Sequence, residues 1–212
     1  MTNPTYSSPA CYLHEFEGTP QSWDEIRAWR KKTRAALIEQ RVALTPDVRR
    51  ARAREARARL TEAVDLSQFK TLGIYWPIRG EFDVREIARS HLDRGAAVAL
   101  PVVVQRGSPV EFWKWEPGVP MARGLWNIPV PAERVVLDPD VLIIPLVGFD
   151  AAGYRLGYGG GYYDRTIAAA ARRPFRIGLG SAEARVATIY PQPHDIAMSL
   201  IVTESLVQNV LA

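Results

Sequence analysis

The run Gly153-Tyr154-Arg155-Leu156-Gly157-Tyr158-Gly159-Gly160-Gly161-Tyr162-Tyr163-Asp164-Arg165 holds the densest chemistry in the sequence. It follows an apolar strand pattern and enters a helix pattern. Glycines at 157, 159, 160 and 161 lack Cβ atoms, so backbone N–H groups can close on an anion. The helix start that follows adds unpaired N–H groups and a partial positive charge. Asp164 falls in the first helical turn, where a carboxylate can hold a magnesium ion riding on phosphates. Arg155 and Arg165 can pair with those phosphates. The run is not a P-loop, because no Gly-Lys-Ser/Thr follows. It is not G-x-G-x-x-G either, because Tyr162 stands where the third glycine would be. A glycine cluster by itself is more often a turn; the order strand, glycines, helix, with charged residues attached, favours an anion site.

Three other segments carry candidate chemistry. In Tyr75-Trp76-Pro77-Ile78-Arg79-Gly80-Glu81 the carboxylate lies just past a strand end, where it can accept from the amino or amide edge of a heterocycle. It could equally favour the N-terminus of a helix beginning near Asp83. Six tryptophans is high for this length. Core packing is the default for each, but Trp126-Asn127-Ile128-Pro129 sits in a Pro-rich loop, where an indole can stack on a flat ring. In Tyr190-Pro191-Gln192-Pro193-His194-Asp195, His194 has no second ligand at zinc spacing. By spacing alone Asp195 reads as a cap on a turn, with a distant metal or nucleotide ligand as the other reading. No Ser or Cys occupies a nucleophile elbow.

The elements that must position these residues are legible in outline. Residues 1–21 read as a loose N-terminal extension, and residues 22–212 as one α/β domain that includes N-terminal helices over 22–65. Ser22 with Glu25 forms a capping-box pattern ahead of a helix from about Trp23 to Ala43. Thr45-Pro46 starts a second helix to about Val64, so the pair should form a helical hairpin on the main domain. Strands are expected at Thr71–Trp76, Ala97–Val104, Val110–Trp115, Val141–Val147, Phe175–Leu179 and Leu200–Thr203. Helices are expected at Asp83–Arg94, Tyr162–Arg172 and Glu183–Ile189. Apolar strands alternating with helices indicate a mostly parallel sheet covered on both faces, with Val110–Trp115 as an antiparallel addition. Ligands of such sheets bind outside the strand carboxyl ends.

Composition excludes several classes. The 212 residues are 47% hydrophobic and 24% charged, ordinary globular usage. No apolar run approaches a membrane span. A single cysteine, Cys11, can form neither an internal disulfide nor a cysteine cage. With no secretory signal pattern, a reducing cytoplasm is the expected location. From Arg27 to Arg59 there are 12 Lys and Arg against 3 Asp and Glu, a local +9 within a net +4, which leaves −5 elsewhere. Such a segment meets an anion or is a solvated helix face.

Taken together, these segments resemble the 5-formyltetrahydrofolate cyclo-ligase family, over roughly residues 29 to 205. The carriers are Gly153-x-Arg155-Leu156-Gly157-x-Gly159-x-Gly161-Tyr162-Tyr163-Asp164-Arg165, Trp126-Asn127-Ile128-Pro129, Gly80-Glu81 after a strand, and Pro193-His194-Asp195 before the last strand. Arg30-Lys31-Lys32-Thr33-Arg34, with Arg41 one heptad later, is similar to the family's basic opening helix.

The resemblance implies a three-layer α/β/α fold of the sugar-phosphate isomerase and CoA-transferase-like kind. It implies an ATP- and Mg2+-dependent ligase. The formyl oxygen of 5-formyltetrahydrofolate is phosphorylated, N10 attacks the activated carbon, and phosphate leaves 5,10-methenyltetrahydrofolate and ADP. It further implies that Arg30, Lys31, Arg34 and the stretch Arg155, Leu156, Gly157, Tyr158, Gly159, Gly160, Gly161, Tyr162 and Tyr163 bind ATP. Trp76, Glu81, Trp126, Tyr158, Gly159, Gly160, Gly161 and Tyr162 would bind folate, and Asp164 and Asp195 would hold magnesium. The catalytic set would be Arg155, Tyr162 and Asp164. The family usually has Lys at the position of Arg30, and many members have Asp at the position of Ser199. A monomer acting on a small molecule, without nucleic acid or membrane, is the expected state. Two rivals are an RNA-binding protein using the arginine-rich helices and a catalytically idle folate-binding relative.

Overall fold

The computed structural model describes residues 22–210; the extension expected over 1–21 lies outside them. Helix α1 spans Trp23–Ala43 and opens on the expected capping box: Glu25 N donates to the Ser22 hydroxyl, and Ser22 N donates to the Glu25 carboxylate. Helix α2, Pro46–Ala63, follows after two residues, capped by the Thr45 hydroxyl with Pro46 in its first turn. The chain then runs through β1 Thr71–Gly73, α3 Arg85–Leu92, β2 Ala97–Val102, β3 Glu111–Lys114, β4 Met121–Arg123, β5 Pro129–Pro131, β6 Val136–Leu137, β7 Val141–Pro145, β8 Gly148–Phe149, β9 Arg155–Leu156, α4 Tyr162–Ala169, β10 Phe175–Leu179, β11 Leu200–Val202 and β12 Val207–Asn209.

The main sheet has the order β12-β11-β10-β7-β1-β2-β3-β6. Its centre, β11 to β2, is parallel, and the outer strands β12, β3 and β6 are antiparallel. Alternation along each central strand sends residues to opposite faces. Val141, Ile143, Ile177, Leu200 and Val202 join a core with Ala56 and Leu60 of α2 and Ile87 and Ala88 of α3. Leu142, Ile144 and Ile201 join a second core with Trp29 and Leu37 of α1 and Ile167 of α4. The fold is therefore the three-layer α/β/α arrangement, and its consecutive N-terminal helices contribute to opposite layers. Both faces being covered explains why the central strands read as continuous apolar runs.

Two sequence expectations change. Glu183–Ile189 is not a helix; only a single 3-10 turn at Ala182–Ala184 forms. Val186 N donates to Phe149 O at 2.8 Å and Ile189 N to the buried Asp150 carboxylate at 3.0 Å, which draws the segment out as an extended strap. Strand ends also come earlier than the apolar runs suggest. β1 stops at Gly73, and Ile74 to Glu81 become a loop. Three of the six α2 arginines contact other elements: Arg52 pairs with Glu183 and Glu204, Arg57 with Glu86, and Arg59 donates to Glu204 O. Among the described residues no helix is long and apolar enough to cross a membrane.

Candidate active site

The chain leaves β1 through α3 to β2 on one side and later returns as β7 on the other. That reversal opens a crevice at the carboxyl ends of β1 and β7, the usual ligand position in such sheets. A cleft lies there. Its floor and walls include Tyr75, Trp76, Ile78 and Glu81 from the loop after β1, and Pro101 and Val103 from the end of β2. Trp126 and Ile128 line it as well, with Tyr158, Tyr162 and Tyr163 of the glycine turn and α4. Expected folate-site residues from three separate segments, Trp76 and Glu81, Trp126, and Tyr158 and Tyr162, thus meet in one cleft, while Gly159, Gly160 and Gly161 are not part of its lining.

Glu81 is the buried carboxylate of this cleft. Arg79 and Gly80 both adopt left-handed backbone (φ 47° and 77°), and Glu81 N donates to Ile78 O at 3.0 Å, so the loop makes a tight reversal. The reversal turns Glu81 inward. Its Oε2 accepts from Ile78 N at 2.9 Å and its Oε1 from the Tyr158 hydroxyl at 2.8 Å. Burial pushes the Glu81 carboxyl above its ordinary value, opposed by the Ile78 N–H, Arg41 and Tyr158. The helix-capping alternative does not apply, since α3 starts only at Arg85. Arg41, outside the expected site, donates to Tyr158 Oη at 2.7 Å and lies 3.8 Å from Glu81. Its signal in the sequence is the Arg30, Arg34, Arg41 spacing, which places all three on one stripe of a helix.

The aromatic walls divide by exposure. Trp126 is 60% exposed, held in left-handed backbone (φ 57°), and meets Tyr162 edge-on at 5.6 Å. Trp76 is half-buried against Trp115 and Arg85. Tyr163 is different: its buried hydroxyl has no hydrogen-bond partner among the described residues, and burial raises its pKa, so it stays a protonated donor.

At the glycine turn the amides of Gly159, Gly160 and Gly161 donate to no acceptor among the described residues, while the Gly160 and Gly161 carbonyls accept from Arg165. Gly159 has φ +92°, and a Cβ there would lie 3.2 Å from the Arg34 guanidinium. Arg34 Nε is buried and has no partner among the described residues, and burial together with Arg30 lowers the Arg34 pKa. A guanidinium packed on Gly159, in a turn whose amides lack acceptors among the described residues, is a fit for phosphate oxygens.

The remaining expected ligands point elsewhere. Arg30 donates to Ile189 O, to Tyr190 O and, at 2.6 Å, to Asp195. Arg155 is buried, donating to Ile196 O at 3.0 Å and pairing with Asp164 at 3.1 Å, while Asp164 also accepts from Ile196 N. Asp195 additionally accepts from Gln192 N at 2.7 Å, so it does cap a turn. Both expected magnesium aspartates are thus halves of arginine ion pairs. Among the described residues no group of three or more His, Cys, Asp or Glu gathers. In this arrangement the pair does not fit a magnesium site. Leu156 is core, Gly157 faces open space, and Lys31 is exposed. Ser199 accepts from Arg176 N inside the sheet layer.

Comparison with known proteins agrees with this architecture. The family model described as the 5-formyltetrahydrofolate cyclo-ligase family matches residues 26–204. A 5-formyltetrahydrofolate cyclo-ligase of Mycolicibacterium smegmatis is 31% identical over 183 residues, covering 82% of this chain and 93% of the relative. One from Escherichia coli is 32% identical over 137 residues, covering 62% and 75%. The solved structure of an Aquifex aeolicus 5,10-methenyltetrahydrofolate synthetase shares the fold with a TM-score of 0.75 at 24% identity, covering 86% of this chain and 93% of that one. A Mycoplasma pneumoniae synthetase does so at 0.69 and 22%, covering 82% and 98%. With the match running from α1 to just past β11, the chain belongs to the 5-formyltetrahydrofolate cyclo-ligase family.

Proposed function

We propose that this chain converts 5-formyltetrahydrofolate to 5,10-methenyltetrahydrofolate, with ATP becoming ADP and phosphate. The observation that carries the proposal is the adjacency of two unlike sites along one glycine turn, whose Tyr158 and Tyr162 line the cleft. One is a buried carboxylate among aromatic rings; the other is a turn whose amides lack acceptors among the described residues, packed against Arg34.

Each end matches one requirement of the reaction. The pterin edge offers N–H donors, and Glu81 accepts. Trp76 and Trp126 flank flat rings, and the unpaired Tyr163 hydroxyl donates to a substrate oxygen. Arg34 and the amides of Gly159, Gly160 and Gly161 bind the transferring phosphates. Phosphoryl transfer relies on positioning and charge neutralisation more than on a protein nucleophile, and the cleft offers no nucleophile elbow. Arg155 and Asp164 serve this reading as positioning residues, tying the start of α4 to the chain at Ile196, ahead of β11. Tyr162 faces the rings through Trp126. The magnesium that accompanies ATP in this reading has both of its expected aspartates committed to arginine, and the proposal assigns it no protein ligand.

The test is turnover. Purified protein, 5-formyltetrahydrofolate, ATP and magnesium should generate the absorbance of the methenyl product, and omission of ATP should abolish it. A folded protein that gives no product beside a working control enzyme overturns the proposal. Retained folate binding would then favour an idle relative.

A further inference from the structure

The basic stripe of α1 ends on Arg41, in the helix's last turn. A cation there also suits the helix C-terminus, but the side chain spends its donors on other elements. Nε donates to Arg79 O at 3.0 Å, Nη1 to Leu146 O at 3.1 Å, and Nη2 to the Tyr158 hydroxyl at 2.7 Å. Nη2 also stands 3.8 Å from Glu81 Oε1, with both side chains nearly enclosed. One guanidinium thus joins the reversal after β1, the segment after β7, the glycine turn and the cleft carboxylate. Its planar fork is suited to this in a way a lysine is not.

We propose that Arg41 is a positioning residue for substrate binding, fixing Glu81 and the Tyr158 hydroxyl in the arrangement that the heterocycle meets. This rests on the folate reading of the cleft. The Tyr158 hydroxyl donates to Oε1 of Glu81, while Oε2 accepts from Ile78 N. Arg41 donates to the same hydroxyl, so Tyr158 keeps a partner when substrate displaces it from the carboxylate. The charged and titratable groups facing Glu81 are Arg41 from α1, Arg79 from its own reversal, Tyr158 from the glycine turn, and Tyr75 and Tyr163 from the cleft wall. Of these, Arg41 is the one within ion-pair distance among the described residues. Without it, burial acts on Glu81 with less opposition, and the carboxylate takes a proton and ceases to accept at a higher pH.

The experiment compares wild type, Arg41→Met and Arg41→Lys by kcat and KM for each substrate across pH, with thermal melts. For Arg41→Met, KM for 5-formyltetrahydrofolate should rise about tenfold or more with KM for ATP unchanged. Its acid limb in kcat/KM should move up by about one to three pH units. Arg41→Lys should restore the limb but not the full affinity. Wild-type folate KM and acid limb in Arg41→Met overturn the proposal. So does a uniform loss of both substrates with a lower melting temperature and an unmoved limb, which marks a helix anchor only. If wild type itself does not turn over, the cyclo-ligase reading fails first. Equilibrium titration of 5-formyltetrahydrofolate against pH then still decides the role of Arg41.

Discussion

The two ends of the cleft use arginine in opposite ways. At the Glu81 end, Arg41 is spent on holding a carboxylate open toward the cleft. At the glycine-turn end, Arg30 and Arg155 are spent on closing carboxylates off, against Asp195 and Asp164. What remains there without a carboxylate among the described residues is Arg34, half-buried beside Gly159, and Arg165, which donates to Gly160 O; the Nε of each is buried and unpaired. One end therefore presents an acceptor among apolar rings, and the other presents N–H donors and uncompensated positive charge. Residue types alone do not separate these roles; each depends on which partner the fold supplies.

The largest effect that would sharpen this contrast comes from Arg155→Met. It strands the Asp164 carboxylate and the Ile196 carbonyl, and removing one partner of a buried pair costs about 3–5 kcal/mol. Chemical denaturation should show that loss, with both substrates weakened together because the start of α4 shifts. Glu81→Gln should act on one end only, lowering kcat/KM for 5-formyltetrahydrofolate by about 10- to 100-fold while leaving ATP affinity alone. In wild type the sign of the pH effect follows from burial. Because the Glu81 carboxyl is raised, its acceptor form is lost sooner as pH falls than in an exposed glutamate. Folate affinity, read by titration, should decline through that range while nucleotide affinity holds.

Gly159→Ala is the counterpart at the other end. An alanine at φ +92° is strained, and its methyl presses on Arg34. KM for ATP should rise about tenfold, with folate binding retained. The smallest effect is expected from Trp126→Ala. The indole is exposed, so stability should move by about 0.5 kcal/mol or less, while folate KM rises about three- to tenfold through lost ring contact.

The sequence was most informative where local chemistry decides structure. Ser22 with Glu25, Thr45 with Pro46, and the apolar runs of β2, β7 and β10 formed much as their patterns imply, because caps and two-sided burial are local or periodic signals. Glu183–Ile189 failed because its N–H groups are claimed by Phe149 and Asp150, more than thirty residues away. β8, β9 and β12 are too short to show a period. Within the site, Glu81, Trp76, Trp126 and the glycine turn were legible as types in special positions. Arg30 with Asp195 and Arg155 with Asp164 were legible as charged groups, but not as pairs. Arg41 was visible only as a spacing on a basic helix.

The most direct measurement is calorimetric titration of 5-formyltetrahydrofolate and ATP, separately, into Glu81→Gln and Arg34→Ala. A division of labour between the two ends predicts a crossed result: Glu81→Gln loses folate affinity and keeps ATP, and Arg34→Ala loses ATP affinity and keeps folate. Two folded variants that each lose both ligands, or each keep both, would contradict it.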